Sequence, residues 1–226
     1  MRRILRWLWD EHGAQKLDRY VPKVESPHPR SVTATHEERR RLIEGAPVDL
    51  RLFILLCSDL GIRSGTAVNI APRHYDQAEG TIRFKTKKDA KVGLHVTQEV
   101  RSLLDTCDQR DPRPFITQLR TGLRAKSQRQ LKHEAVAARQ LRTELKELRL
   151  RLGIERRVVP HDLRRTSAVN LYRLTRNLRQ VQAFLGHSSM QSTIWYLDHD
   201  LEEVPLADLE TIKTPFLAWR KDTKTA

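Results

Sequence analysis

Between Val48 and Leu60 the chain places Leu50, Leu52, Phe53, Ile54, Leu55 and Leu56 almost without interruption. Apolar density of that order marks a helix enclosed in a core rather than one lying on a surface. Whatever else the chain contains must therefore be arranged to cover this segment. Gly61 ends the helix, because glycine adopts the left-handed conformation that closes a last turn, and Arg63 follows at once, where a helix end aims it.

The flanking sequence reads mainly as α with a small antiparallel β-hairpin. Thr35 with Glu38 forms a capping box, so the pattern predicts a helix opening at His36 and closing near Gly45. After Asp76 the period changes. Residues 81–86 (TIRFKT) and 92–96 (VGLHV) alternate in polarity, and the charged turn between them carries Lys85, Lys87, Lys88 and Lys91 at a hairpin tip. Residues 98–107 look helical, and Asp111, Pro112 and Pro114 then break the chain. A long helical pattern follows from about Ser127 to Leu152, with Leu141, Leu145, Leu148 and Leu152 in a row that lasts only two heptads and so reads as core rather than as a dimerising coiled coil. Gly153 ends it. Pro160 precedes a helix with His161 and Arg164 three apart on one face. A further helix contains Leu178, Val181 and Leu185, the turn at Gly186 presents His187, and a last helix carries Tyr196.

Residues 1–31 stand apart. Residues 2–20 suggest a short amphipathic helix whose Ile4, Leu5, Trp7, Leu8 and Trp9 form too wide an apolar face to remain uncovered. Pro22, Ser26, Pro27 and Pro29 mark a linker. The division predicted is thus 1–31 as helix and linker and 32–226 as the main domain with a C-terminal tail.

Charge narrows the partner. The chain of 226 residues has 42 basic against 28 acidic side chains, a formal charge of +14, and an isoelectric point near 10.3. Arginine dominates the basic set, and its planar fork grips phosphate bidentately, which points to a polyanion such as nucleic acid. With aromatic content of only 6% and no stacking motif, an RNA-recognition module is disfavoured. Cys57 lies in an apolar run and Cys107 has no CxxC partner, as expected of reduced thiols in a cytoplasmic protein. No apolar run approaches a membrane span, and Arg6 interrupts the apolar start without a cleavage site following.

Arg63, His161, Arg164, His187 and Tyr196, with a lysine of the hairpin tip, are the candidate catalytic set. Arginines suit the charge that develops on a phosphodiester in its transition state. A tyrosine hydroxyl is a poor nucleophile at neutral pH and needs a base and a positive field beside it. No acidic cluster converges to hold a metal, and neither a phosphate-binding glycine loop nor metal-ligand spacing occurs, so no cofactor is expected.

The run from His161 to Arg164 (HDLR), the tripeptide Leu185–His187 (LGH) and Tyr196 nine residues after His187 resemble the second signature box of the tyrosine recombinase, or phage integrase, family. Gly61–Arg63, with Asp76 thirteen residues after Arg63, resembles the first box, and Thr86–Lys88 resembles the strand-borne lysine element. Coincidence of His, Arg, Gly, His and Tyr at fixed offsets has a probability on the order of 10⁻⁷ per starting position. The resemblance covers roughly residues 32–200. It implies an α+β catalytic domain that cleaves and rejoins double-stranded DNA through a 3′-phosphotyrosine, without metal or ATP. It further implies that Arg63 and Arg164 clamp the scissile phosphate, His161 is the general base, and His187 donates to a nonbridging oxygen. Lys87 would protonate the leaving 5′ oxygen, although Lys85 and Lys88 flank it and periodicity does not choose among them, and Tyr196 would be the nucleophile.

Two departures temper the match. Thr66 stands where the family pattern has an acidic residue three positions after the first arginine. Residues 1–31 look like the last helix of a core-binding domain and its linker, so half of the expected DNA clamp is missing from this sequence, and weak, strongly salt-dependent binding follows. By resemblance the tail from His199 to Ala226, with Leu206, Leu209, Phe216, Leu217 and Trp219, joins protomers in a tetramer on DNA; packing in cis is the alternative. Competing readings are a noncatalytic DNA-binding protein of the same fold and a type IB topoisomerase-like enzyme that relaxes DNA.

Overall fold

The computed structural model describes residues 32–85, 91–120 and 134–197, all within the unit Ser31–Ala226. The N-terminal helix and linker, the hairpin tip with Lys87 and Lys88, the start of the long helix and the tail from His199 lie outside the described residues. The helices are α1 His36–Gly45, α2 Val48–Ser58, α3 Ser64–Ala67, α4 Gln98–Asp105, α5 Phe115–Leu119, α6 Glu134–Arg151, α7 Pro160–Thr175, α8 Leu178–Leu185 and α9 Met190–Leu197, and the strands are β1 Tyr75–Asp76, β2 Thr81–Lys85 and β3 Lys91–His95. The domain is therefore mainly α with one small antiparallel sheet, ordered β1-β2-β3, as the sequence indicates.

The apolar segment forms the hub. Leu52, Phe53, Ile54, Leu55, Leu56 and Cys57 of α2 are all 0% exposed, and α2 packs against α1, α3, α4, α5, α6 and α7. Thr35 caps α1 as its sequence predicts: its hydroxyl accepts from the Glu38 amide at 3.1 Å while the Glu38 carboxylate accepts from the Thr35 amide at 2.8 Å. That pairing fills two of the donors a helix start leaves open and turns Leu42 and Ile43 inward. On α6 the leucine row Leu141, Leu145 and Leu148 is buried, so it belongs to the core. The same helix supplies Glu144 to a buried ionic cluster in which Arg120 pairs with Asp49 of α2 and with Glu144, each at 2.9 Å. A guanidinium this enclosed is tolerable because both carboxylates meet it, and removing either partner would strand a buried charge.

The hairpin has the expected register, with Ile82 opposite Leu94 and Phe84 opposite Val92. Ile82, Val92 and Leu94 face the core while Arg83, Lys85 and Lys91 face water. Three elements carry no sequence signal, among them the four-residue helix α3. The strand β1 is two residues long, too short to show alternation. Helix α5 is five residues long, capped by the same Pro114 that reads as a break. Its Phe115 packs edge-on against Tyr75 at 6.1 Å.

A second apolar cluster, Ala168, Val169, Leu171, Val181, Leu185 and Leu197, joins α7, α8 and α9. It meets the hub where Gly61 turns the chain out of α2. Gly61 has φ +57°, and a Cβ there would lie 2.7 Å from the Phe184 ring. Gly61→Ala therefore combines a left-handed backbone cost with displacement of a packed ring, and we expect a loss of roughly 2–3 kcal/mol of stability. A urea unfolding midpoint unchanged from wild type would contradict this.

Candidate active site

Two consecutive arginines on α7 are both buried, Arg164 at 4% and Arg165 at 2% exposed. A surface reading of the pair would be natural from sequence, but the fold turns them inward. Arg164 is held by backbone: one terminal nitrogen donates to the Gly61 carbonyl and the other to the Leu185 carbonyl at 2.7 Å. Leu185 ends α8, so its carbonyl is one of those that a helix C-terminus leaves without an internal partner. Burial lowers the Arg164 pKa to about 10, which leaves it cationic at neutral pH. The same guanidinium stands 3.4 Å from His187 Nε2.

Tyr196 projects from α9 into this group. Its hydroxyl lies 3.3 Å from His161 Nδ1. Its ring meets His161 edge-on at 5.0 Å and 84° and His187 at 5.4 Å and 89°. The Arg165 guanidinium carbon lies 5.8 Å from its centroid. Burial raises the phenol pKa, while the positive charges of Arg164, Arg63 and Arg165 pull the other way. The phenol is thus desolvated, yet its anion would form inside a positive field.

Both histidines are neutral at neutral pH. Partial desolvation is the main cause, and the neighbouring guanidiniums add to it: the pKa of His161, which is still exposed to solvent, falls below its ordinary value, and that of half-buried His187 falls to about 4. His161 can accordingly accept a proton. The turn that carries His187 is clamped on both sides. Gly186 is left-handed at φ 60°, the His187 amide donates to the Gln182 carbonyl at 3.0 Å, and the Gln182 side chain donates back to the His187 carbonyl at 3.1 Å. Nδ1 of His187 lies 3.2 Å from the Thr193 hydroxyl.

Arg63 caps α3 and is exposed. Among the described residues it has no ion-pair partner, and its charge contributes to the depressed pKa values of both histidines. Thr66, at the position where an acidic residue would be expected, donates its amide to the Arg63 carbonyl at 2.8 Å. Asp76 has a structural employment, receiving Arg83 at 3.0 Å and the Glu79 amide at 3.1 Å. Thus Arg63, His161, Arg164, His187 and Tyr196 are brought together, and Lys87 lies outside the described residues. Sequence reasoning missed Arg165 and Thr193. Helical spacing offered a signal for each: Arg165 is four residues from His161, and Thr193 three from Tyr196, so each shares a face with a candidate catalytic group. Among the described residues no group of three His, Cys, Asp or Glu side chains could hold a metal ion, and no helix is long and apolar enough to cross a membrane.

A tyrosine flanked by histidines, with arginines from separate segments around it, matches the arrangement expected of a tyrosine recombinase catalytic domain. The phage integrase family model matches residues 33–203, and the chain belongs to that family. Its similar curated relatives include tyrosine recombinase XerA of Pyrococcus furiosus, 27% identical over 187 residues, covering 77% of this chain and 59% of the relative. Tyrosine recombinase XerC of Shewanella sp. strain ANA-3 is 24% identical over 194 residues, covering 81% and 60%. The chain therefore spans about three fifths of the length of these relatives. Solved structures of the same fold include XerA recombinase, with TM-score 0.61 and 20% identity over 92% of this chain and 79% of that one. A lambda integrase dimer bound to a COC′ core site gives 0.63 and 18% over 90% and 59%, and the catalytic domain of bacteriophage HP1 integrase 0.54 and 18% over 80% and 99%.

The half-buried, neutral His187 links the site to stability. Its folded pKa of about 4 lies below the ordinary 6.5, so the stability it contributes is present above about pH 6.5 and is lost as pH falls toward 4. The melting temperature of wild type should drop more steeply between pH 7 and pH 5 than that of His187→Gln. Parallel curves would contradict the burial argument.

Proposed function

We propose that the chain acts as a site-specific DNA recombinase, cleaving and rejoining double-stranded DNA through a covalent 3′-phosphotyrosine without metal or ATP. The observation that carries this reading is the Tyr196 hydroxyl held 3.3 Å from His161 Nδ1, in a field to which Arg63, Arg164 and Arg165 contribute. Tyr196 Oη attacks the scissile phosphorus and its proton passes to His161. A P–Oη bond forms, the P–O5′ bond breaks, and Lys87 protonates the departing 5′ oxygen. Arg63 and Arg164 neutralise the extra charge on the nonbridging oxygens, to which His187 donates; each such donor is worth about 10²–10³ in rate. The phosphotyrosyl link conserves bond energy, so the reverse attack by a 5′-hydroxyl rejoins strands without another energy source.

Several finer parts rest on the family relationship. Residues 1–31 would be the end of a core-binding domain, and the tail beyond residue 198 would join protomers in a tetramer on DNA. The protein would work on cytoplasmic DNA, as the recombinase of a mobile element. Exposed Arg63, with no ion-pair partner among the described residues, is poised to take a phosphate. The intact set around Tyr196 favours catalysis over a noncatalytic DNA-binding role.

The test is covalent trapping in EDTA with a pool of nicked duplexes whose cleavage releases a short 5′-hydroxyl strand. The expected result is a protein–DNA adduct on a denaturing gel that Tyr196→Phe abolishes. Wild-type protein that binds these duplexes yet forms no adduct would overturn the reading in favour of the noncatalytic one.

A further inference from the structure

Thr193 sits on α9, fully buried at 0% exposed, with its hydroxyl 3.2 Å from His187 Nδ1. The other ring nitrogen, Nε2, lies 3.4 Å from an Arg164 terminal nitrogen. Because His187 is neutral at neutral pH, its ring carries a single N–H, and the two nitrogens must play opposite roles. A guanidinium only donates. Beside Arg164, Nε2 is therefore the acceptor, and the ring proton sits on Nδ1, donated to Thr193 Oγ1. A phosphate oxygen only accepts, so at the same place it demands the reverse: the proton on Nε2, and an acceptor at Nδ1 that needs a donor of its own. A hydroxyl meets both demands by rotating its hydrogen, whereas a carbonyl or carboxylate at the same spot would allow only the first.

We propose that Thr193 is a positioning residue that sets the tautomer of His187. Its hydroxyl accepts from Nδ1–H when the site is empty and donates to Nδ1 when a phosphate oxygen occupies Nε2, which makes His187 a neutral hydrogen-bond donor to the scissile phosphate. In both states the ring carries one proton, on Nδ1 in the first and on Nε2 in the second, so its charge does not change. Burial suits this role, since water could otherwise replace the hydroxyl at Nδ1. The inference rests on the transesterase reading above and deepens it.

The experiment measures the rate of adduct formation on one nicked duplex for wild type, Thr193→Val, Thr193→Ala and Thr193→Ser, and for Thr193→Val combined with His187→Gln. Partners that orient a metal-bound histidine are worth about 10–100-fold; a comparable factor is expected for Val and Ala here, while Ser stays within about threefold of wild type. The Ala and Ser variants lack the same methyl group, so their ratio reads the hydroxyl alone even if packing suffers. In the His187→Gln background the Val substitution should add nothing, because Thr193 acts through His187. The inference is overturned if Val matches wild type, if Ser is as slow as Ala, or if the Val effect persists undiminished in that background. A wild-type protein that forms no adduct is a different outcome, which overturns the functional reading and this inference with it.

Discussion

The Arg164 guanidinium is the tie on which the domain and its site both depend. One buried side chain donates to the carbonyls of Gly61 and Leu185, so the turn leaving the core helix α2 and the end of α8 are fastened to α7 at a single point. Those two places are also where two of the candidate catalytic groups are displayed: Arg63 just beyond Gly61, and His187 two residues beyond Leu185. Rigid backbone partners suit the phosphate-clamping role proposed for Arg164, because a preorganised donor costs no reorganisation at the moment of reaction.

Desolvation sets the electrostatic character of the site, and positive charge refines it. Burial raises the phenol pKa of Tyr196 and lowers those of His161 and His187. Left alone, that would make Tyr196 an inert phenol. Three guanidiniums around it work in the opposite direction and would stabilise the developing anion, while they reinforce the neutrality of the histidines. A neutral His161 3.3 Å from the hydroxyl can take a proton, which an imidazolium could not. The absent carboxylate at Thr66 fits this pattern: Arg63 stays exposed and without an ion-pair partner among the described residues, so its charge is undiminished by a close anion.

Much of this was legible in the residues. The apolar run, the capping box at Thr35, the alternating hairpin and the glycine stops at Gly61, Gly153 and Gly186 fix long elements through strong local signals, and the spacing of His161, Arg164, His187 and Tyr196 marks the site. What escaped has a physical cause in each case. Strand β1 and helices α3 and α5 are too short to show a repeating pattern. The buried Asp49–Arg120–Glu144 cluster joins segments remote in sequence. Arg165 reads as surface charge until α7 is docked, and Thr193 as an ordinary helix residue until its neighbour across the turn is known. The carbonyls that hold Arg164 are backbone groups, which carry no sequence signature.

The most direct measurement compares the unfolding free energies of Arg164→Met and Arg63→Met in urea at neutral pH. If Arg164 fastens the domain, its replacement leaves two buried carbonyls without donors and costs about 2 kcal/mol or more, whereas Arg63, exposed at the rim, changes stability by no more than about 0.5 kcal/mol. Equal stability of the two variants would contradict the role assigned to Arg164 as the tie between fold and site.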